Sequence, residues 1–125
     1  MKRLIALTLL AATFAVPAMA DCTYPKAPAK IPDGNTAPLE DMQAAVKAVK
    51  EYDASMKAYQ ACLQLEQTDV ESKMGKDGAP PTEEQKQKNA AIYTQKSIAA
   101  DEELQGVAAR LNEQIRIYKA KHPAK

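Results

Sequence analysis

The sequence predicts an all-α fold: a long antiparallel αα-hairpin with an extended, proline-rich N-terminal arm tied by a disulfide to the first helix. Three observations predict it. Two stretches of about 35–40 residues carry helical apolar spacing, with one break of Gly and Pro between them. The arm before them holds Pro25, Pro28 and Pro32, which exclude helix. The two cysteines, Cys22 and Cys62, place one partner in that arm and the other inside the first helical stretch.

Residues 1–20 read as a secretion signal. Lys2 and Arg3 form a basic start, Leu4 to Val16 an apolar run, and Ala18-Met19-Ala20 a small–x–small cleavage site. The run is shorter than the ~20 residues that an ordinary membrane-spanning helix needs. Lipidation at Cys22 is disfavoured by Asp21 directly before it. The expected location is therefore periplasmic or secreted, where a cysteine pair forms a disulfide. An intermolecular bridge and free or metal-binding thiols are the alternatives. Without Lys2 and Arg3, 15 basic residues stand against 16 acidic ones. Near-neutral charge gives no electrostatic basis for nucleic-acid or anionic-membrane binding. No membrane span is expected after signal cleavage.

Residues 21–37 form the arm, which Asp33-Gly34 closes with a turn. Residues 38–125 form the hairpin, with helices over about 38–73 and 83–121. In the first, Pro38 suits the opening turn, and Glu40 and Asp41 complement the positive end of the helix dipole. Met42, Val49, Met56, Leu63 and Val70 recur every seven residues, with Leu39 and Val46 completing the stripe early. Asp53, Gln60 and Gln67 take the equivalent later positions, and Tyr52 and Tyr59 fall on its flank. Such a half-polar seam disfavours a strict coiled-coil dimer.

Gly75, Gly78, Pro80 and Pro81 break the pattern, and Thr82-Glu83-Glu84-Gln85 has capping-box spacing. The second helix is expected to pack through Ala91, Ile98, Leu104, Ala108, Leu111, Ile115 and Tyr118. Lys119 and Lys121 suit its negative end, and His122-Pro123 stops it.

A rise of ~1.5 Å per residue puts Cys62 ~37 Å beyond the first helix's start. A polyproline arm of about 15 residues reaches ~46 Å, so Cys22 meets Cys62 only if the arm lies nearly extended, antiparallel to that helix. Tyr24 on the arm, with Tyr52 and Tyr59 on the helix, is the candidate arm-packing or partner surface. Asp53 falls opposite Asp101 and Glu102, which are either solvated seam flanks or a polar or cation layer.

Missing residue types exclude much chemistry. The single histidine, His122, lies at the chain's end, so a His-supported nucleophile or a multi-His metal site has no residues to form from. There is no C-x-x-C and no phosphate-binding Gly-Lys-Ser/Thr. Met42 and Met56 lie at core spacing, which reads as packing, not soft-metal binding. No catalytic residue, metal or cofactor is expected.

The elements Cys22-x-Tyr24-Pro25, Ile31-Pro32-Asp33-Gly34 and Met42…Tyr59…Cys62-Leu63…Glu66 resemble a group of small exported proteobacterial proteins of unknown function. Members share a signal peptide, a proline-containing Cys arm and a Tyr-x-x-Cys-Leu helix. The resemblance implies an exported location and paired cysteines, and it carries over no catalytic or binding residue. The expected function is a non-enzymatic envelope protein, a helical binding, adaptor or assembly module with a protein partner or a second copy. The alternative is a periplasmic stress chaperone holding unfolded clients on an amphipathic surface.

Overall fold

The structure, a computed structural model, describes residues 21–75 and 77–124, so the signal read over residues 1–20 lies outside the described residues. Helix α1 spans Leu39–Lys73 and helix α2 spans Glu83–Lys121. At ~1.5 Å per residue they are ~52 and ~58 Å long. Helix α1 starts behind Pro38 with Glu40 and Asp41 in its first turn, and no side chain caps it. Helix α2 starts with a full capping box. The Gln85 N–H donates to Thr82 Oγ1 at 3.2 Å, and the Thr82 N–H donates to Gln85 Oε1 at 2.9 Å. Between the helices, Asp77 and Gly78 both adopt positive φ, reversing the chain.

Contacts fix the pairing as antiparallel. Going up α1, Tyr52, Gln60 and Gln67 meet Glu103, Asp101 and Asn89 in turn. The seam is built from Ala45, Val49, Tyr52, Met56, Tyr59 and Leu63 of α1 with Tyr93, Ala100, Val107 and Leu111 of α2. Alternating steps of four and three in α1, and steps of seven, seven and four in α2, keep these residues on one face of each helix. Met56 and Ala100 are both fully buried, a large residue at the level of a small one. Burying Met56, Leu63 and Val107 stabilises by roughly 1.5–3 kcal/mol each.

Two details of the expected stripes are corrected. Tyr52 and Tyr59 are seam residues at 4% and 9% exposure, not flank residues, whereas Leu39 is 54% exposed. In α2, Ala91 and Ile98 face outward, and Tyr93, Ala100 and Val107 take the seam. The cause is a third layer. Cys22, Ala27 and Ile31 of the arm pack onto the core, which moves the buried face of α1 toward the arm.

Beyond Leu63 the arm ends and the interface turns polar. Buried Asn89 donates to Gln67 O and to Glu71 Oε1, both at 3.3 Å. Tyr93 donates to Glu66 Oε1 at 3.0 Å, and Lys96 lies 4.9 Å from the Tyr93 ring centre. Burial, then the bond to Glu66, pushes the Tyr93 hydroxyl up to about 12. The loop half of the hairpin is thus held by directional polar contacts, which fix register, and the other half by apolar layers.

Candidate functional site: the strapped and unstrapped flanks

The arm is anchored at three levels. At its start Cys22 is bonded to Cys62, with Cα atoms 5.7 Å apart. Two residues later the Tyr24 ring stands edge-on against Tyr59, with centroids 5.0 Å apart. At its end the Gly34 N–H donates to Gln114 Oε1 of α2 at 2.8 Å. The arm therefore runs antiparallel to α1, as its cysteine spacing required, but it lies against both helices. It is also less stretched than expected. About 16 residues of polyproline path cover ~50 Å, against ~35 Å along α1 from Leu39 to Cys62. A bend at Ala29 and the turn at 33–37 take up the slack. In that turn Asp33 O accepts from the N–H groups of Thr36 and Ala37, and Asp33 Oδ1 accepts from the Asn35 N–H. That bond, and then a second from Asn35 Nδ2 to the same oxygen, hold the Asp33 carboxyl below its usual range.

Glu103 clasps the arm to the helices. Its carboxylate accepts from the Tyr24 hydroxyl at 2.7 Å and the Tyr52 hydroxyl at 3.0 Å. The two bonds, Tyr24 first, hold Glu103 below the ordinary carboxylate range. Desolvation of the hydroxyl, then Glu103, pushes Tyr52 up to about 12, and the same causes push Tyr24 further upward. Each direction has a consequence for pH. A lowered carboxyl favours the clasped state above its free-chain value, and this contribution is lost as pH falls through the still lower folded value. A raised phenol favours the clasped state below about 10, and this contribution is lost as pH rises toward about 12. Arm closure is accordingly expected to be pH-independent between about 5 and 9 and to weaken on both sides. Tyrosine fluorescence or amide exchange of the arm checks this. A Tyr24→Phe chain should lose part of the alkaline response, and an unchanged response contradicts the clasp.

Asp53, Asp101 and Glu102, read as either solvated seam flanks or a polar or cation layer, take separate partners or none. Asp53 pairs with Lys57 at 2.7 Å, Asp101 accepts from Gln60 Nε2 at 2.7 Å, and Glu102 is exposed. Among the described residues no group of three His, Cys, Asp or Glu is arranged to hold a metal ion. The acid that joins the elements is their neighbour Glu103, which spacing alone did not single out. Gly34 and Gln114 were likewise missed. The Asp33-Gly34 pair signals a turn but says nothing about what that turn touches. His122 caps α2, its N–H donating to Tyr118 O at 3.0 Å and its ring stacked on Tyr118 at 4.2 Å.

The arm covers one flank of the hairpin and leaves a groove of about 570 Å³ bounded by Pro25, Pro28, Tyr52, Ser55 and Tyr59. The opposite flank, marked by Gln60 on Asp101, has no such cover. It holds a depression beside Gln64, Gln67 and half-exposed Ile98. It also holds an apolar groove of about 300 Å³ at the hairpin's open end, between Leu39, Met42 and Val46 of α1 and Ile115 and Tyr118 of α2. Among the described residues no helix is long and apolar enough to cross a membrane. Compared with known proteins, the chain matches no protein family, no curated protein and no solved structure.

Proposed function

We propose that the protein is a non-enzymatic, exported binding and assembly module whose working surface is the flank the arm leaves bare. The observation that carries this reading is the asymmetry of the hairpin. A covalent strap and a third packing layer brace one flank, while the other presents the side chains of Gln64 and Gln67 beside Ile98. Bracing holds a two-helix surface in one shape, which lowers the ordering cost of docking a partner. An oxidising compartment agrees with the strap, because such a bond persists outside the cytoplasm. Open, shallow grooves and a lone histidine spent on capping α2 fit a binding role better than a catalytic one.

A second copy of the chain is the simplest partner, two bare flanks closing as a four-helix bundle. Light scattering over a concentration series is expected to show a dimer, and Ile98→Lys is expected to return the monomer without loss of helix. A strict monomer that also retains no partner from envelope extract contradicts the reading.

A further inference from the structure

We infer that Cys62 is a thiol-exchange site, where attack by a dithiol reductant opens the strap and releases the arm from a hairpin that stays folded. The groove of about 570 Å³ between the arm and α1 is lined by Cys62 and not by Cys22. Cys22 instead packs onto the core, and both cysteines are half-buried. An incoming thiolate therefore has a path to Cys62, past the small side chains of Thr23, Ser55 and Ala58. It bonds to Cys62 Sγ, the Cys22–Cys62 bond breaks, and the electron pair leaves on Cys22 Sγ. The reductant's second thiol then displaces Cys62 from the mixed disulfide. Two electrons and two protons pass to the chain, and the reductant is left as a disulfide.

Release requires an arm with few other bonds and helices that hold together without it. Between Cys22 and Pro32 one hydrogen bond joins the arm to the hairpin, from the Tyr24 hydroxyl to Glu103. No backbone group of that stretch pairs with a helix. The next bond, from the Gly34 N–H to Gln114, sits in the turn at 33–37 that Asp33 closes, so this turn is the pivot. The helices meet without the arm through the Gln60–Asp101 bond, the Asn89 contacts and the burial of Met56, Leu63 and Val107. A segment with so few contacts opens apart from the body it lies on. Once it swings away, Tyr59 loses its edge partner and Glu103 keeps only Tyr52. The strap thereby makes exposure of the Tyr52–Tyr59 strip depend on the thiol–disulfide balance of its surroundings.

Cys62 lies on the strapped flank, so its test is independent of what the bare flank docks. The purified oxidised protein is treated with dithiothreitol in native buffer, without denaturant. Complete reduction is expected, with helix content by circular dichroism unchanged. The NMR signals of Tyr24, Ala27 and Ile31 should move to unfolded-chain positions, while those of Gly34, Val107 and Leu111 stay. Brief exposure to glutathione, quenched with iodoacetamide, should give glutathionylated Cys62 with alkylated Cys22, in excess over the reverse pair. A chain carrying both Cys22→Ser and Cys62→Ser should show the released spectrum with or without dithiothreitol. Four results overturn the inference: a bond cut only once urea unfolds the helices, arm signals that hold their positions after the bond is lost, helix lost together with the bond, or a glutathione adduct chiefly on Cys22.

Discussion

Replacing Cys62 by serine is expected to lower stability by about 4 kcal/mol, the chain-entropy value for cross-linking residues 40 apart. A domain of this size is stable by only ~5–15 kcal/mol, so this is a large fraction of the total. The remaining arm contacts are few: the Tyr24–Glu103 bond, the Tyr24–Tyr59 edge contact, the packing of Ala27 and Ile31, and the Gly34–Gln114 bond. An exposed hydrogen bond and one aromatic pair each contribute only ~0.5–1.5 kcal/mol. The freed arm should therefore fray from its start toward Pro32, exposing Tyr52 and Tyr59. Cys22→Ser is expected to have the same effect, and the double variant no more, since all remove one bond. Urea unfolding checks the magnitude. Equal midpoints for Cys62→Ser and the oxidised chain would mean that the strap contributes nothing.

Gly34→Ala is the second large effect, and its cause is space alone. Gly34 has no positive φ, but a Cβ there would lie 2.1 Å from Gln114 O and 2.8 Å from Tyr118 N. Both are backbone atoms inside α2, so no side-chain rotation relieves the clash. Either the turn lifts away and loses its bond to Gln114, or α2 bends. Overpacking costs about 1–3 kcal/mol, and the lost bond adds about 1. Gly106→Ala is the matched control. A Cβ at Gly106 meets nothing within 4 Å, and the position is interior to α2. Alanine there is expected to stabilise by up to ~1 kcal/mol. Opposite signs for the same chemical change show that the arm's seat on α2 is tight. Two equal effects contradict it.

Local signals in the sequence reached the structure intact where the chemistry is local. The Thr82–Gln85 cap, the Gly75–Pro81 break and the His122 stop each depend on neighbours in the chain, and α1 and α2 begin and end where those residues place them. The cysteine pair was legible because spacing and proline stiffness limited how the arm could run. Positions that depend on the third layer were not legible. Helical periodicity offers Tyr52 and Val46 as neighbouring edges of one face, and only the arm decides which edge is buried. The same holds for Tyr93 and Ala100 against Ile92 and Ile98, because α2's face is set by α1 and the arm together. The clasp was hidden for a further reason. Glu103 is one of three successive acids, and its partners lie 51 and 79 residues away in sequence.

The three-layer packing depends on the arm being strapped to its own hairpin. Peptide mapping of the purified protein by mass spectrometry, without reduction, tests this most directly. One linked peptide pair joining Cys22 to Cys62 within a single chain is expected, with no free thiol. Two free thiols, or a Cys22–Cys62 link found only between chains of a covalent dimer, would contradict it.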